Sequence, residues 1–218
     1  MSDTTPPPGL RERKRAATRR SIQMAVLELV REEGVEPVTV DMVSRRADVS
    51  PRTFFNYFAS KEDALVGEVP SFVEGAPVDR FVADRDRPVL EGLVDLIDLS
   101  LRGSTDDHDL VQTRRRVLRA HPDLFARRVA GMREFEEGLG VAVARRLEAD
   151  QDADGGPESR ASRAHLVTLV VMAALRHAWV EWADDDDDEH LSDADRYGVR
   201  ARLETSFAQL AELVSREG

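Results

Sequence analysis

The 218-residue chain contains no cysteine, which excludes a disulfide framework and any thiolate metal site. Aromatic residues are scarce at 6%, yet hydrophobic residues reach 41%, enough to bury a core and too many for a chain disordered throughout. Long apolar runs are absent. The longest, residues 166–175, falls far short of a bilayer span, and no stretch has the make-up of a secretory signal, which predicts a cytoplasmic protein with no membrane partner. Catalytic signatures are missing as well: there is no glycine-rich phosphate loop, no G-x-S-x-G elbow and no H-E-x-x-H. His108, His121, His165, His177 and His190 are too scattered to make a local metal motif. Nothing calls for a cofactor or a metal, and five successive aspartates at 184–188 are a solvated loop before they are a cation site.

What is present favours helix. Ala, Leu, Val, Arg and Glu dominate, so the expected fold is all-α, and the length favours two units, a small N-terminal one followed by a larger helical one. A net charge of −11 argues at first sight against a nucleic-acid partner, since phosphate binding draws on Lys and Arg. Its distribution says otherwise. Residues 1–66 carry 11 basic and 10 acidic side chains, and the remainder is net −12. Arg11, Arg13, Lys14, Arg15, Arg19 and Arg20 cluster against Glu12 alone, either a patch that reaches phosphates or a solvated helix end.

In chain order, residues 1–9 (MSDTTPPPG) are a proline-rich tail without assigned fold. Ala17, Ile22, Ala25, Val26, Leu29 and Val30 repeat at helical spacing over 10–33, and Gly34 is placed to end that helix. A further helix starts at Ser60 with a capping-box-like Ser60 and Asp63 and runs toward Pro70. Segment 74–88, with Gly75, Pro77 and Pro88, is expected to be a linker. Beyond it five helices are expected, at 87–103, 108–119, 121–149, 157–183 and 192–216, the last opened by Ser192 and Asp195, with loops DQDADGG and DDDDDEH between the last three. The domain assignment is 1–9 tail, 10–66 helix-turn-helix domain built around the stretch 39–63, and 67–218 helical domain.

The most specific stretch is 39–63, TVDMVSRRADVSPRTFFNYFASKED. Val40, Val43 and Ala47 give its first helix a packed stripe, with Asp41, Ser44, Arg45 and Arg46 lying away from it. Asp48 and Val49 make a turn. Ser50 is an N-cap, Pro51 sits where its missing N–H costs nothing, and Phe54 and Phe58 face inward. Arg52, Thr53, Asn56 and Tyr57 are left outward, all able to bond phosphates or base edges, and an Asn amide pairs bidentately with adenine. Arg45 belongs with them on the exposed side, and Lys61, beside the motif in a helix first turn, is a candidate phosphate contact.

The C-terminal part suggests symmetry. Helix 157–183 is apolar nearly all round between 166 and 175, so it should be covered on two sides, one of them by a second copy. Val199, Leu203, Phe207, Leu210 and Val214 give 192–216 a matching stripe, and the two helices with their symmetry mates would form a four-helix bundle in a homodimer.

Residues 10–65 resemble the DNA-binding domain of the TetR family of bacterial transcriptional regulators. The residues that carry the resemblance are Thr39, the turn Ala47-Asp48-Val49-Ser50, the run Thr53-Phe54-Phe55-Asn56-Tyr57-Phe58, and Ser60-Lys61-Glu62-Asp63-Ala64-Leu65, in order and without insertion. Two positions depart from the pattern: Asp48 stands where the family commonly has Gly, and Phe55 where it has Tyr, so the phosphate bond of that hydroxyl falls to Tyr57. The resemblance implies a double-stranded operator contacted by Thr39, Arg52, Thr53, Asn56, Tyr57 and Lys61, and a C-terminal domain that encloses a small-molecule effector. Pocket candidates are Leu93, Ile97, Leu118, Phe125, Met132, Phe135, Met172, Leu175 and Trp179, each of which also fits plain core. TRRRVLRAHPDLFARRVAGMR and MAALRHAWVEWAD are similar to a subset of the family with an acyl-CoA-like ligand domain; there Arg114, Arg115, Arg116, Arg127, Arg128 and Arg176 would meet an anionic head group, or else pair with the surplus Asp and Glu. The sequence also admits a helical interaction module without DNA binding or a small helical enzyme.

Overall fold

Helix formation in this chain is set locally by caps and glycines. The computed structural model describes residues 9–102, 108–150, 156–184 and 198–215, and every secondary-structure element among them is an α-helix. In order these are α1 Leu10–Glu33, α2 Val40–Arg46, α3 Pro51–Phe55, α4 Lys61–Val66, α5 Ala76–Ala83, α6 Val89–Arg102, α7 His108–Ala120, α8 Pro122–Ala130, α9 Arg133–Ala149, α10 Pro157–Asp184 and α11 Val199–Ser215. No described helix is long and apolar enough to cross a membrane. The tail 1–8, the loop segments 151–155 and 185–197, and the Ser192/Asp195 cap lie outside the described residues.

α1 has the expected span, ending at Gly34, where φ is 87° and the N–H donates to Val30 O at 2.8 Å. Three expectations change. The segment expected to link the two parts holds a helix, α5, which follows Gly75 at φ 71° and carries a proline in its first turn. The helix from Ser60 stops at Val66, well before Pro70, because Gly67 turns to φ 74°. The long helix 121–149 is two, α8 and α9. At the break the Gly131 N–H is shared between Arg127 O and Arg128 O, a tightened last turn, and a side chain on Gly131 would come within 2.8 Å of Val69 Cγ2.

The chain divides into two units. The first is Met1–Glu68 with Thr105–Ala126, and the second is Val69–Ser104 with Arg127–Gly218. This differs from a boundary at 66/67, because α7 packs on α1 and α4. Its Leu110, Val117 and Leu118, with Leu124 of α8, complete the core formed by Ile22, Val26, Val43, Phe54 and Leu65. Burial of each such side chain contributes roughly 1.5–3 kcal/mol, and the few short helices of the motif are too small to supply this alone.

In the second unit α10 packs on α9 and α11, α11 on α6, and α5 on both α6 and α9. Leu93, Ile97, Phe135, Leu139, Val171 and Leu175 are buried there. The guanidinium of buried Arg146 lies 6.0 Å over the Phe81 ring and donates to Asp150 and to the Arg87 carbonyl. Asp95 on α6 accepts from Arg87 and from Arg200 of α11. Burial raises its carboxyl pKa, but these bonds and the two positive charges outweigh that and hold it below the ordinary 3.8. The far side of α10 is apolar and open: Leu166, Leu169, Val170 and Val180 are all exposed.

Candidate nucleic-acid interface

The first unit builds its outward face from short capped helices. Thr39 Oγ1 accepts from Met42 N at 3.3 Å to start α2, and Ser50 Oγ accepts from Thr53 N at 3.0 Å to start α3, each satisfying a backbone donor that the first turn leaves unpaired. Between them Asp48 takes φ 55°, the one positive-φ non-glycine among the described residues. Its N–H and that of Val49 close the turn on Arg45 O and Ser44 O. Ser21 of α1 donates to Ala47 O at 3.3 Å and fixes the turn from behind. α3 is anchored by Phe54, fully buried, whose ring lies 5.5 Å from Phe55 edge to face and 5.9 Å from Phe58. Helix position and rotation are therefore set from the core side.

Of the residues expected at the interface, Arg45 on α2, Arg52 on α3 and Asn56, the C-cap of α3, are exposed. Thr39 is exposed too, with its hydroxyl oxygen accepting the cap bond. Thr53 is half-buried, its hydroxyl 2.8 Å from that of Ser50. Tyr57, expected to look outward, is half-buried and packs part of its ring against the core. Ser44, expected on the exposed side of α2, is buried. Arg46 turns back to α1, bonding Glu32 at 2.8 Å and Glu28 at 3.5 Å, and the Arg46 hydrogen bond holds the Glu32 carboxyl below its ordinary pKa.

Lys61 is the clearest change. Its ammonium donates to Val35 O at 2.7 Å, Val38 O at 2.8 Å and Glu36 O at 3.4 Å. Those contacts take up its three N–H donors, so the side chain ties α4 to the α1–α2 loop where a phosphate contact was expected. The basic start of α1 divides in the same way. Arg11, Arg13, Lys14 and Arg15 are exposed, whereas Arg19 pairs with Glu68 at 2.7 Å and lies 4.6 Å over the Phe58 ring, and Arg20 pairs with Asp109 at 3.9 Å. The face as found combines cationic, amide and aromatic side chains over a rigid base, suited to a polyanion with readable edges. Phe55, discounted in the sequence for lacking a hydroxyl, is 57% exposed on it. The signal was present, since Phe55 falls one residue off the buried Phe54/Phe58 stripe.

The expected effector residues do not come together as one set. Leu118 and Phe125 belong with the first unit's core. Leu93, Ile97, Met132, Phe135, Leu175 and Trp179 are buried in the second, Trp179 with the Arg128 guanidinium 5.7 Å over its ring, while Met172 is half-buried and Arg176 exposed. A groove of about 540 Å³ lies instead between α5 and α6, lined by Arg80, Phe81, Arg87, Leu96 and Leu99 among others, and another of about 510 Å³ lies between α9 and α10, with Arg133, Glu136, His165 and Thr168. Among the described residues no three His, Asp or Glu side chains are grouped to hold a metal ion.

Comparison with known proteins agrees with this geometry. Residues 24–68 match the family described as bacterial regulatory proteins, tetR family. The HTH-type transcriptional regulator TcmR of Streptomyces glaucescens is 30% identical over 193 residues, covering 82% of this chain and 80% of that protein. Among solved structures, the fatty acid degradation regulator FadR from Bacillus halodurans is 18% identical with a TM-score of 0.39, covering 85% of this chain and 94% of that one. The multidrug binding protein EbrR complexed with imidazole is 20% identical at the same TM-score, covering 85% and 93%. Superpositions that loose bear on neither ligand nor site, and the assignment rests on the sequence relative and the motif: the chain belongs to the TetR family of bacterial helix-turn-helix transcriptional regulators.

Proposed function

We propose that this regulator works in the cytoplasm as a homodimer that covers a palindromic operator and represses transcription until a small molecule bound by the second unit releases it. The observation that carries the proposal is the pair Arg52, on α3, and Asn56, its C-cap, both exposed beside a helix whose rotation buried Phe54 fixes. An exposed guanidinium and amide four residues apart suit guanine and adenine edges in a major groove. The dimer reading is supported by the open apolar side of α10, which a second copy would cover isologously. Release then requires only that the effector bind the low-affinity conformation better. No catalytic step forms part of the proposal.

The finer reading, an acyl-CoA-like effector, draws its support from the arginine-rich sequence of α7, α8 and α10. The geometry weakens it. Arg114 donates to Leu65 O at 3.1 Å and Arg115 to Gln112 at 3.5 Å, both within the first unit, which favours structural pairing for those two.

Selection of bound duplexes from a random pool tests the operator half of the proposal. The expected product is a dyad whose half-sites lie about one helical turn or a multiple apart. Asn56→Ala should cut the preference for that site over scrambled DNA by about tenfold, as loss of one bidentate base contact requires; a variant that keeps the wild-type ratio removes Asn56 from the reading set. The two tryptophans, Trp179 and Trp182, are both buried in α10 and report on the effector half. A long-chain acyl-CoA that changes their fluorescence and releases operator, where the free fatty acid does neither, would support the finer reading; indifference to both compounds would end it.

A further inference from the structure

α3 offers an aromatic ring to solvent at the place where the protein meets its target. Phe55 is 57% exposed, and the other strongly exposed large hydrophobic of the first unit among the described residues is Leu10, at the start of α1. A single exposed phenylalanine elsewhere would need no explanation. This one is placed: residues 52, 55 and 56 follow i, i+3, i+4 spacing, so the ring lies on the same helix face as the Arg52 guanidinium and the Asn56 amide. It is also held. The buried Phe54 ring meets it edge to face, with centroids 5.5 Å apart and planes at 87°.

A phenyl ring has no donor or acceptor and can bond neither a phosphate nor a base edge. The one apolar group that a base pair presents in the major groove is the 5-methyl of thymine. We propose that Phe55 is a specificity-determining residue whose ring packs on a thymine methyl in each half-site, beside the edges met by Arg52 and Asn56. This rests on α3 being the operator-facing helix. The missing hydroxyl is then the point of the residue: tyrosine at this position would place a polar oxygen at the ring tip, and phenylalanine leaves an apolar one.

The test removes the methyl and nothing else. In the operator selected by the full-length wild type, each thymine is replaced, symmetrically in both half-sites, by deoxyuridine, and affinities are measured for wild type, Phe55→Ala and Phe55→Leu. Loss of one buried methyl contact should weaken wild-type binding about fourfold per half-site, or about 15-fold for the pair, at one symmetric position only. Phe55→Ala should lose that sensitivity, and Phe55→Leu, which stays apolar and guards against a folding defect in the alanine variant, should retain part of it. The proposal is overturned if no thymine methyl matters to the wild type, if Phe55→Ala remains as sensitive as the wild type at every position, or if it loses affinity equally for operator and scrambled DNA. A wild type that enriches no sequence at all overturns the operator-facing role of α3 itself, a failure distinct from the other three.

Discussion

Asp48 holds the turn between α2 and α3 at φ 55°, a conformation in which Cβ crowds the neighbouring carbonyl and which aspartate tolerates better than most residues but less well than glycine. Substitution should follow that order. Asp48→Val should cost about 2 kcal/mol, since a β-branched residue is a poor occupant of this region, whereas Asp48→Gly should lie within about 1 kcal/mol of wild type, relief of crowding being offset by chain entropy; urea denaturation of the two variants decides it. The turn, its caps at Ser50 and Ser60, and the inward Phe54 and Phe58 were legible in the sequence because each depends on neighbours within four residues. Lys61 and Tyr57 were not. The acceptors of Lys61 lie 23 to 26 residues back along the chain, and the half-burial of Tyr57 depends on the tertiary core, for which no local pattern stands proxy.

Among the helices, Arg114 ties α7 to α4. Arg114 of α7 is buried and donates to Leu65 O, and its guanidinium lies over Gly67, where an added Cβ would come within 2.5 Å of Cζ. Gly67 also sits at φ 74°. Gly67→Ala should therefore destabilise the first unit by about 2 kcal/mol, from backbone strain and from the displaced arginine together, seen as faster amide exchange in α4 and α7 than in α10. In the second unit, α6 and α11 are tied through Asp95. With its folded pKa depressed, the Asp95 carboxylate contributes stability above its ordinary 3.8 and loses it as pH falls through the lower, folded value. The melting-temperature gap between wild type and Asp95→Asn should be widest near pH 6 and close below about pH 4. A gap that holds constant to pH 3 would show that the carboxylate's charge is irrelevant there. Most helix spans could be anticipated from apolar spacing, but α5 and the α8/α9 break could not: α5 follows the positive φ of Gly75, and the break falls at Gly131, where Val69 from a distant part of the chain comes close, and spacing alone specifies neither.

For the molecule as a whole, the charge asymmetry and the open side of α10 belong to one design: a near-neutral reading part, and an acidic remainder, net −12 beyond residue 66, which does nothing to attract phosphates. Salt should weaken operator binding only as far as the few exposed cations of α1, α2 and α3 neutralise phosphates. The association surface is tested by charge: Leu169→Glu, at a position 45% exposed on α10, should leave the fold intact and shift the species in sedimentation velocity at micromolar concentration toward 24.4 kDa. A wild type already at that mass would remove the dimer. The clamp formed by Lys61 bears on how such measurements are set up. Lysine occurs only at positions 14 and 61, and with the Lys61 amine held under three carbonyls, the freely accessible lysine is Lys14, on the exposed basic turns of α1. Among the lysines, amine-directed dyes, crosslinkers or sensor-chip coupling would accordingly react at Lys14, within the basic turns proposed to approach phosphates, and the operator, not the protein, is the partner to immobilise.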